Sequence, residues 1–457
     1  MLPLLAACGD NLGPDPTVPG GILDRLNALP GVTAVAQDTE TAGYSYITLW
    51  FTQPVDQLDP GGATFQQQVS LLHKDDAAPM IVQTSGYWDY YLDNPVELTR
   101  LLGANQISIE HRFFGASRPE PADWSKLTIE QMAHDQHVII EKLRSIYDGA
   151  FVTTGGSKGG MTAVYHRRFF PDDVDATVPY VAPLSLGAPD PRYSPFVDAI
   201  GPDACRTSVR AVATELLANR RAMVETKAAA QATSDGHAYT RIALAPAVES
   251  SIVSLEWAFW QYYGVGLCED VPAASASDDE LWRFLDQVSP PSDNADASVA
   301  QFDAYYHQAY HQLGYPDAGA AYLDNYLQFS DADYAGSLPT EVPAYDGGAA
   351  MRDIDAWVQA EGDRLLFVYG EWDPWTAGRF ALGGAMDSLS LTQPRGSHAA
   401  RLTRLADVDE AAAFERLATW TGVTPQTVGG GSARELELPV EPEIRIPPAM
   451  LRALRAR

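Results

Sequence analysis

The stretch Gly155-Gly156-Ser157-Lys158-Gly159-Gly160 follows the apolar run Phe151-Val152-Thr153-Thr154 and precedes a helix-like segment at residues 161–170. A serine that attacks a carbonyl group has to project its hydroxyl from a tight turn between a strand and a helix. Glycines two positions before and two positions after the serine remove side chains that would clash in such a turn. Gly155 and Gly159 occupy these positions. The stretch therefore predicts a nucleophile elbow with Ser157 as the nucleophile, and the alternative interpretation is a flexible glycine-rich loop.

The segments around this turn alternate between strand-like and helix-like patterns. Apolar residues at helical spacing predict a helix at residues 127–147, directly before the strand of the elbow, and a late helix near residues 408–417. Runs rich in β-branched and aromatic residues predict strands at 46–52, 64–73, 80–84, 106–110, 176–182, 364–369 and 388–392. Strand, helix, strand, elbow, helix and strand in this order predict an α/β fold with a parallel sheet.

Between residues 198 and 345 the strand signals fade and helical ones dominate, which predicts an inserted helical cap. We expect five parts on this basis. They are residues 1–21 as a signal remnant or lipoprotein tether, 22–197 as the first part of the core, 198–345 as the cap, 346–426 as the second part of the core, and 427–457 as a C-terminal tail.

The composition of the 457 residues limits the partners of this chain. Thirty-one basic and 60 acidic side chains give a net charge of −29, which would repel nucleic acid and anionic membranes. The acidity suits a solvated surface, and it also suits attraction of cationic ligands such as free amino termini. No apolar run approaches the roughly 20 residues that span a bilayer, so any membrane contact is expected through an anchor.

The three cysteines indicate export. Leu5-Ala6-Ala7-Cys8 resembles a bacterial lipoprotein box, which would make Cys8 the lipid-modified first residue of a surface lipoprotein, periplasmic or extracellular. An ordinary N-terminal segment is the alternative. Cys205 and Cys268 remain as an even pair and predict a disulfide, with two unrelated buried thiols as the alternative.

A serine nucleophile needs a histidine base and an acid that orients the histidine, in the chain order Ser, Asp or Glu, His on this type of fold. His398 is the only histidine in the last third of the chain, and it follows the predicted strand at 388–392. Asp373 follows the predicted strand at 364–369, and Glu371 is the runner-up for the acid. Position in the chain therefore selects Ser157, Asp373 and His398, although Asp373 alone also fits an ordinary helix cap.

The oxyanion hole is expected to consist of the backbone N–H of Lys158 and a backbone N–H near Gly86 or Tyr87, on the loop after the strand at 80–84. We expect the Lys158 ammonium to be solvated or paired rather than catalytic. His307 and His311 lie four residues apart, but no glutamate follows His307 as a zinc-protease motif requires, so neither a metal nor another cofactor is predicted.

Several separated segments resemble one known family, the secreted bacterial prolyl tri/tetrapeptidyl aminopeptidases, which are distantly similar to prolyl carboxypeptidase and dipeptidyl peptidase II. The likeness runs from about residue 44 to 420. The segments that carry it are Phe51-Thr52-Gln53-Pro54-Val55-Asp56, Glu110-His111-Arg112-Phe113-Phe114-Gly115, the elbow with its continuation to Asp175, Gly370-Glu371-Trp372-Asp373-Pro374-Trp375 and Gly396-Ser397-His398.

The resemblance implies an α/β-hydrolase core with an inserted helical cap, and release of short peptides from a free amino terminus after proline. It implies the same triad of Ser157, Asp373 and His398. Proline's flat apolar ring suits an aromatic slot, and a free α-amino group needs a carboxylate. Glu110 and Glu256 are the candidate carboxylates. The candidates for the slot are Trp88, Trp260, Trp372 and Trp375, with Tyr87, Trp257, Phe259 and Tyr262 as further aromatics.

The expected partners are therefore peptides with free amino termini, and the chain is expected to act as a monomer. Two other functions share parts of this evidence. An esterase or acyl hydrolase would use the same triad without a preference for proline, and a catalytically silent surface lipoprotein would keep only the fold.

Overall fold

The computed structural model describes residues 21–339 and 343–426. Its centre is a sheet of nine strands in the order β1-β2-β3-β5-β4-β6-β7-β8-β9. The strands are β1 Val32–Gln37, β2 Ser45–Pro54, β3 Thr64–His73, β4 Met80–Thr84, β5 Asn105–Ile109, β6 Phe151–Gly156, β7 Ala176–Tyr180, β8 Leu366–Gly370 and β9 Leu389–Gln393.

Strand direction divides the sheet into two parts. β1, β2, β3 and β5 pair antiparallel, whereas β5, β4, β6, β7, β8 and β9 pair parallel. In a parallel sheet all strands end at the same edge, so the loops that follow β4, β6, β8 and β9 meet there. These four loops carry Gly86, Ser157, Asp373 and His398.

Helices cover both faces of the sheet. Alternate side chains of β8 show this directly, because Leu366 and Val368 pack in one core cluster with Leu417, whereas Phe367 packs in another cluster with Val358. The helices are α1 Ile22–Asn27, α2 Glu97–Leu102, α3 Ile129–Leu143, α4 Lys158–Phe169, α5 Tyr193–Val197, α6 Asp203–Ala218, α7 Arg221–Asp235, α8 Leu244–Val253, α9 Leu255–Ala258, α10 Asp278–Val288, α11 Asp296–Gln301, α12 Asp303–Gln308, α13 Ala349–Glu361 and α14 Asp407–Thr421.

Between β7 and β8 the chain forms helices α5 to α13 with short 3-10 and π-helical turns, and α6 to α12 of these form a helical insertion that lies within the predicted cap at 198–345. Its first half has a core of its own, in which Val212, Leu216 and Leu285 are completely buried. Its second half packs on the sheet domain, since Phe302 and Tyr305 share a cluster with Tyr87. The disulfide between Cys205 and Cys268 joins α6 to the 3-10 helix Gly264–Asp270, which confirms the predicted pair.

The predicted strands and the long helix before the elbow are confirmed, with ends shifted by a few residues. The prediction missed α1 and β1, because the short strand Val32–Gln37 lies at the sheet edge and has only two buried residues. The alanine-rich stretch at 208–232 falls on two helices, α6 and α7. The domain division at 197/198 and 345/346 stays a prediction, and residues 1–20, 340–342 and 427–457 lie outside the described residues.

None of the helices within the described part of the chain combines the length and the apolar character that a membrane span needs.

Candidate active site

Ser157 lies at a strained turn between β6 and α4. Its φ of 54° and ψ of −123° are unusual for a residue with a side chain and are typical of a nucleophile elbow. A Cβ atom at Gly159 would lie 2.1 Å from the Thr84 carbonyl oxygen, so glycine is required there. The Ser157 N–H donates to the Tyr180 carbonyl oxygen at 2.9 Å and ties the turn to β7. The local geometry is that of an elbow and excludes a flexible loop.

Asp373 and His398 are hydrogen-bonded to each other across the loops after β8 and β9. Asp373 Oδ2 lies 2.7 Å from His398 Nδ1, and Asp373 Oδ1 accepts from the Trp375 N–H at 3.1 Å. The aspartate side chain is completely buried, and the histidine side chain is 13% exposed. Because an ionised carboxylate only accepts hydrogen bonds, this contact places a proton on Nδ1 and leaves Nε2 as the basic nitrogen.

Ser157, the third residue of the predicted triad, is not hydrogen-bonded to this pair. His398 Nε2 is buried and makes no hydrogen bond among the described residues, so it is not bonded to Ser157 Oγ. Catalytic hydrogen bonds are often long before substrate binds and shorten afterwards. The arrangement therefore holds a base with one unused acceptor atom at the edge of the sheet where the serine projects.

The two expected oxyanion donors lie side by side. Lys158 is the first residue of α4, where a backbone N–H has no partner within the helix. A Cβ atom at Gly86 would lie 2.8 Å from the Gly159 nitrogen, so the loop after β4 contacts the first turn of α4. The Tyr87 N–H donates to Ser85 Oγ at 3.1 Å, whereas the Gly86 N–H makes no hydrogen bond among the described residues. Gly86 is therefore available as a donor without rearrangement, and Tyr87 only if Ser85 is released.

The expectation that the Lys158 ammonium is solvated or paired is wrong. The residue is 3% exposed, and Nζ donates to the Gly86 carbonyl oxygen. Its nitrogen lies 5.3 Å from the ring centre of Tyr87 and 5.2 Å from that of Phe114. None of the carboxylates in the described ranges forms an ion pair with it, and burial holds the pKa of Lys158 well below its usual value.

Glu110 and Glu256, the two candidate carboxylates for a substrate amino group, have different surroundings. Glu110 is buried and accepts from the N–H groups of Asp89, Ala116 and Ser117 at 3.0, 2.8 and 2.9 Å, so both oxygens hold loop backbone in place. These bonds argue against a role in amine binding.

Glu256 is buried on α9 and pairs with Arg210 at 2.9 Å, while Arg210 also pairs with exposed Asp198 at 2.6 Å. Burial raises the pKa of Glu256, and Arg210 opposes that change. Two carboxylates thus share one guanidinium group in the insertion, which leaves this group of three with an excess negative charge when all are ionised.

The candidate aromatic residues differ in burial and in their distance from His398. Trp260 is completely buried and contacts the Trp372 ring at 6.0 Å between centroids, so it belongs to the core of the insertion and is not a slot for proline. Trp375 lies 6.2 Å from the His398 ring and 5.4 Å from the Trp257 ring. Trp88 and Trp372 are half-buried. Trp375 is therefore the candidate with a direct contact to the histidine.

Sequence reasoning missed Gln261 in the insertion. It lies in the π-helical turn Phe259–Tyr263, and its carbonyl oxygen accepts from the His398 N–H at 2.9 Å. Its side-chain oxygen accepts from Trp257 Nε1 at 3.0 Å. A π-helical turn is rare and frequent at functional sites. Nothing in the sequence could have found this contact, because a backbone carbonyl carries no sequence signal.

The parallel sheet, the elbow after β6 and the Asp–His pair after β8 and β9 define the class: the protein is an α/β-hydrolase. Within that class, the chain belongs to the PS-10 peptidase S37 family, whose sequence pattern it matches over residues 17–438. The family is one of serine peptidases, and membership confirms the resemblance seen in the sequence.

A relative with high sequence identity agrees with this membership. The chain is 38% identical over 413 residues to the prolyl tri/tetrapeptidyl aminopeptidase of Streptomyces mobaraensis, which covers 89% of this chain and 86% of that protein. Among solved structures, proline iminopeptidase of Mycobacterium smegmatis is 15% identical with a TM-score of 0.37, over 80% of this chain and 96% of that one. The putative non-heme bromoperoxidase BpoC of Mycobacterium tuberculosis is 14% identical with a TM-score of 0.36, over 78% and 96%. Structural likeness at this level carries nothing about activity.

Proposed function

We propose that this chain is a serine exopeptidase that releases tri- or tetrapeptides from free amino ends by cleaving after proline. The observation that carries this specificity is the 38% identity, over nearly the whole chain, to the Streptomyces mobaraensis prolyl tri/tetrapeptidyl aminopeptidase. The geometry around the elbow supports the chemistry. The residues proposed to perform it are Ser157, His398 and Asp373.

In the first half of the reaction, Ser157 Oγ attacks the carbonyl carbon of proline while its proton passes to His398 Nε2. Asp373, 2.7 Å from Nδ1, stabilises the imidazolium that forms. The negative charge on the carbonyl oxygen is stabilised by the Lys158 N–H and by an N–H of the loop at Gly86 and Tyr87. The tetrahedral intermediate then collapses, and the imidazolium gives its proton to the leaving amine.

In the second half, His398 Nε2 takes a proton from water, and the oxygen of that water attacks the ester carbonyl of the acyl-enzyme. The intermediate collapses to release the short peptide, and Ser157 Oγ recovers its proton from the histidine. Atoms balance over the cycle, since one water is consumed for each peptide bond that is broken.

Glu256 is the proposed contact for the substrate amino group, because the oxygens of Glu110 are occupied by backbone N–H groups. Glu256 precedes Trp257, whose ring contacts Trp375, and the Trp375 ring contacts His398. An extended tripeptide spans about 10 Å, so a fixed carboxylate at that distance from the nucleophile would set the length of the peptide removed. The neighbouring Trp375 is the proposed wall for the proline ring.

The decisive experiment compares two chromogenic substrates, an Ala-Ala-Pro anilide with a free amino terminus and its N-acetylated form. We expect kcat/KM to be higher for the free amine, and Ser157→Ala to abolish cleavage of both. Glu256→Gln should reduce the difference between the two substrates. Glu215→Gln is the matched control, because Glu215 is another glutamate of the insertion paired with an arginine, Arg220 at 2.8 Å.

Other outcomes would overturn the proposal. Equal cleavage of both anilides would contradict recognition of the amino terminus. Fast hydrolysis of short acyl esters without cleavage of either anilide would indicate an esterase. Failure of Ser157 to react with a fluorophosphonate probe would indicate a silent binding protein.

We also propose that the chain is exported and held at the cell surface by a lipid on Cys8. The Cys205–Cys268 disulfide supports export, because such bonds persist in oxidising compartments. Cys8 lies outside the described residues, and its support is the Leu5-Ala6-Ala7-Cys8 sequence alone. Mass analysis of the mature amino terminus tests the anchor, and an unmodified Cys8 would contradict it.

A further inference from the structure

The side chain of Lys158 has no role in the reaction described above, although its surroundings are unusual for a lysine. It extends from the residue next to the nucleophile into a box formed by the Gly86 carbonyl oxygen and the rings of Tyr87 and Phe114. His111 is close enough for Lys158 to contribute to the lowering of its pKa, after burial. A buried amine with no carboxylate partner is costly to a fold, so a position between two aromatic rings would ordinarily favour an apolar residue.

The atom that Lys158 holds belongs to a particular peptide group. Gly86 contributes the carbonyl and Tyr87 contributes the N–H of the same plane, and this N–H donates to Ser85 Oγ at 3.1 Å, so both ends of the peptide group are held. Gly86 has a φ of 76°, a left-handed conformation in which glycine turns with little resistance. With this peptide group held at both ends, Gly86 is prevented from turning, and its own N–H, which makes no hydrogen bond among the described residues, keeps its direction.

We propose that the Lys158 side chain is a positioning residue that clamps the Gly86–Tyr87 peptide group and so presets the direction of the Gly86 N–H, the second donor of the oxyanion hole. One residue would then set both donors, the first through its backbone N–H and the second through Nζ. This inference rests on the proposed function, because it assumes that Ser157 is the nucleophile.

The test replaces the amine by an apolar side chain of similar length, Lys158→Met. Removal of one oxyanion donor typically lowers kcat by about 10²–10³, and a donor that is present but misdirected should cost less, about 10–100-fold. We expect KM to change by less than about twofold and the melting temperature to be unchanged or higher, because a buried amine is replaced by an apolar group. A merely structural role predicts the reverse, a lower melting temperature with kcat preserved in the folded fraction.

A second measurement isolates the oxyanion hole. A tripeptide boronic acid ending in proline mimics the tetrahedral state, whereas the product Ala-Ala-Pro does not. In Lys158→Met the affinity for the boronic acid should fall by the same factor as kcat/KM, and the affinity for the product should not change. Unchanged boronic acid affinity, or kcat within about twofold of the parent, would overturn the proposal.

Thr162→Val is the matched control in the same helix. Thr162 is equally buried, and its Oγ1 donates to the Lys158 carbonyl oxygen at 2.8 Å, so this change perturbs the same turn without removing Nζ. We expect kcat to stay within about twofold of the parent. If Lys158→Met does not fold, Lys158→Leu serves the same test, because its side chain is apolar and carries no donor.

The rate of Ser157 labelling by a fluorophosphonate separates failure of this inference from failure of the proposed function. If the parent is labelled but cleaves no proline anilide, the substrate assignment fails, and the ratio of labelling rates between Lys158→Met and the parent still tests the clamp. If the parent is not labelled at all, both proposals fall. If the parent cleaves the anilide and Lys158→Met labels at the parental rate, only the clamp is refuted.

Discussion

Replacement of Asp373 by asparagine tests the Asp–His pair with almost no change of shape. The two oxygens of Asp373 have separate partners, the Trp375 N–H for Oδ1 at 3.1 Å and His398 Nδ1 for Oδ2 at 2.7 Å. An asparagine has one oxygen, and the buried Trp375 N–H requires an acceptor. The amide NH₂ would therefore face His398 Nδ1.

That arrangement exchanges the hydrogen-bonding roles of the two ring nitrogens of His398. With an N–H donor opposite it, Nδ1 becomes the acceptor and the proton moves to Nε2, so Nε2 no longer accepts the proton of Ser157. The imidazolium of the intermediate also loses its carboxylate partner. In serine peptidases the same change lowers kcat by about 10⁴, which equals about 5 kcal/mol of transition-state free energy at 1.36 kcal/mol for each factor of ten.

The assay is kcat and KM on the free-amino Ala-Ala-Pro anilide, with the melting temperature of each variant measured alongside. Glu371→Gln is the control, since Glu371 is an exposed acid two residues away on the same loop. We expect Asp373→Asn to lose most of its kcat with a similar KM, and Glu371→Gln to stay within about threefold. A loss of less than about tenfold in Asp373→Asn, or an equal loss in Glu371→Gln, would refute the assignment of the acid.

Three further predictions concern stability. Cys205→Ser with Cys268→Ser should lower the free energy of unfolding by about 4 kcal/mol in urea titration, because the bond closes a loop with a sequence separation of 63, and an unchanged midpoint would contradict this. Burial lowers the pKa of His307 from 6.5 to about 4, so the unfolded chain binds the extra proton between these values and stability falls as pH drops from 6.5 towards 4. The melting temperature of His307→Phe should fall less than that of the parent between pH 7 and pH 4. Equal decreases would rule out His307 as the cause of the acid destabilisation. Glu110→Gln should lower the melting temperature, since its amide NH₂ would face backbone N–H donors. The preference for a free amino terminus should stay intact. Loss of that preference would indicate that Glu110 binds the substrate amine.

Most of the sheet could be predicted from the sequence, because its strands are short apolar runs bounded by glycine and proline. The runs at Met80–Thr84 and Phe151–Gly156 are almost completely buried and have no competing helical period. The edge strand Val32–Gln37 was missed although four of its six residues are apolar, since it is short and most of its side chains face solvent, so burial does not follow from the sequence pattern. Helical signals dominate the stretch at 208–232, but the sequence does not show where one helix ends and the next begins, because the chain breaks at Asn219 and Arg220 and neither residue is a strong helix breaker.

The candidate triad was accessible because chain order and loop position restrict the choice to few residues. The surroundings of the triad were not accessible. The contact from the Gln261 carbonyl to the His398 N–H joins residues 137 positions apart through backbone atoms, and every residue has a carbonyl. The burial of the Lys158 amine contradicts the usual behaviour of lysine, so a prediction from residue type alone places it in solvent. Glu110 differs from Lys158, because a prediction from residue type assigns its carboxylate to a substrate amine. In the structure both of its oxygens accept from backbone N–H groups of its own loop.

The contact between Gln261 and His398 also has a consequence for redesign of this enzyme. The base is anchored on one side by the sheet, through Asp373, and on the other by the helical insertion. A library that varies the π-helical turn Phe259–Tyr263 to admit different peptides would therefore also disturb the position of the base. Variants of this turn that are selected for a new substrate range should cleave more kinds of peptide at a lower kcat. Changes on the outer surface of α7 should leave kcat unchanged.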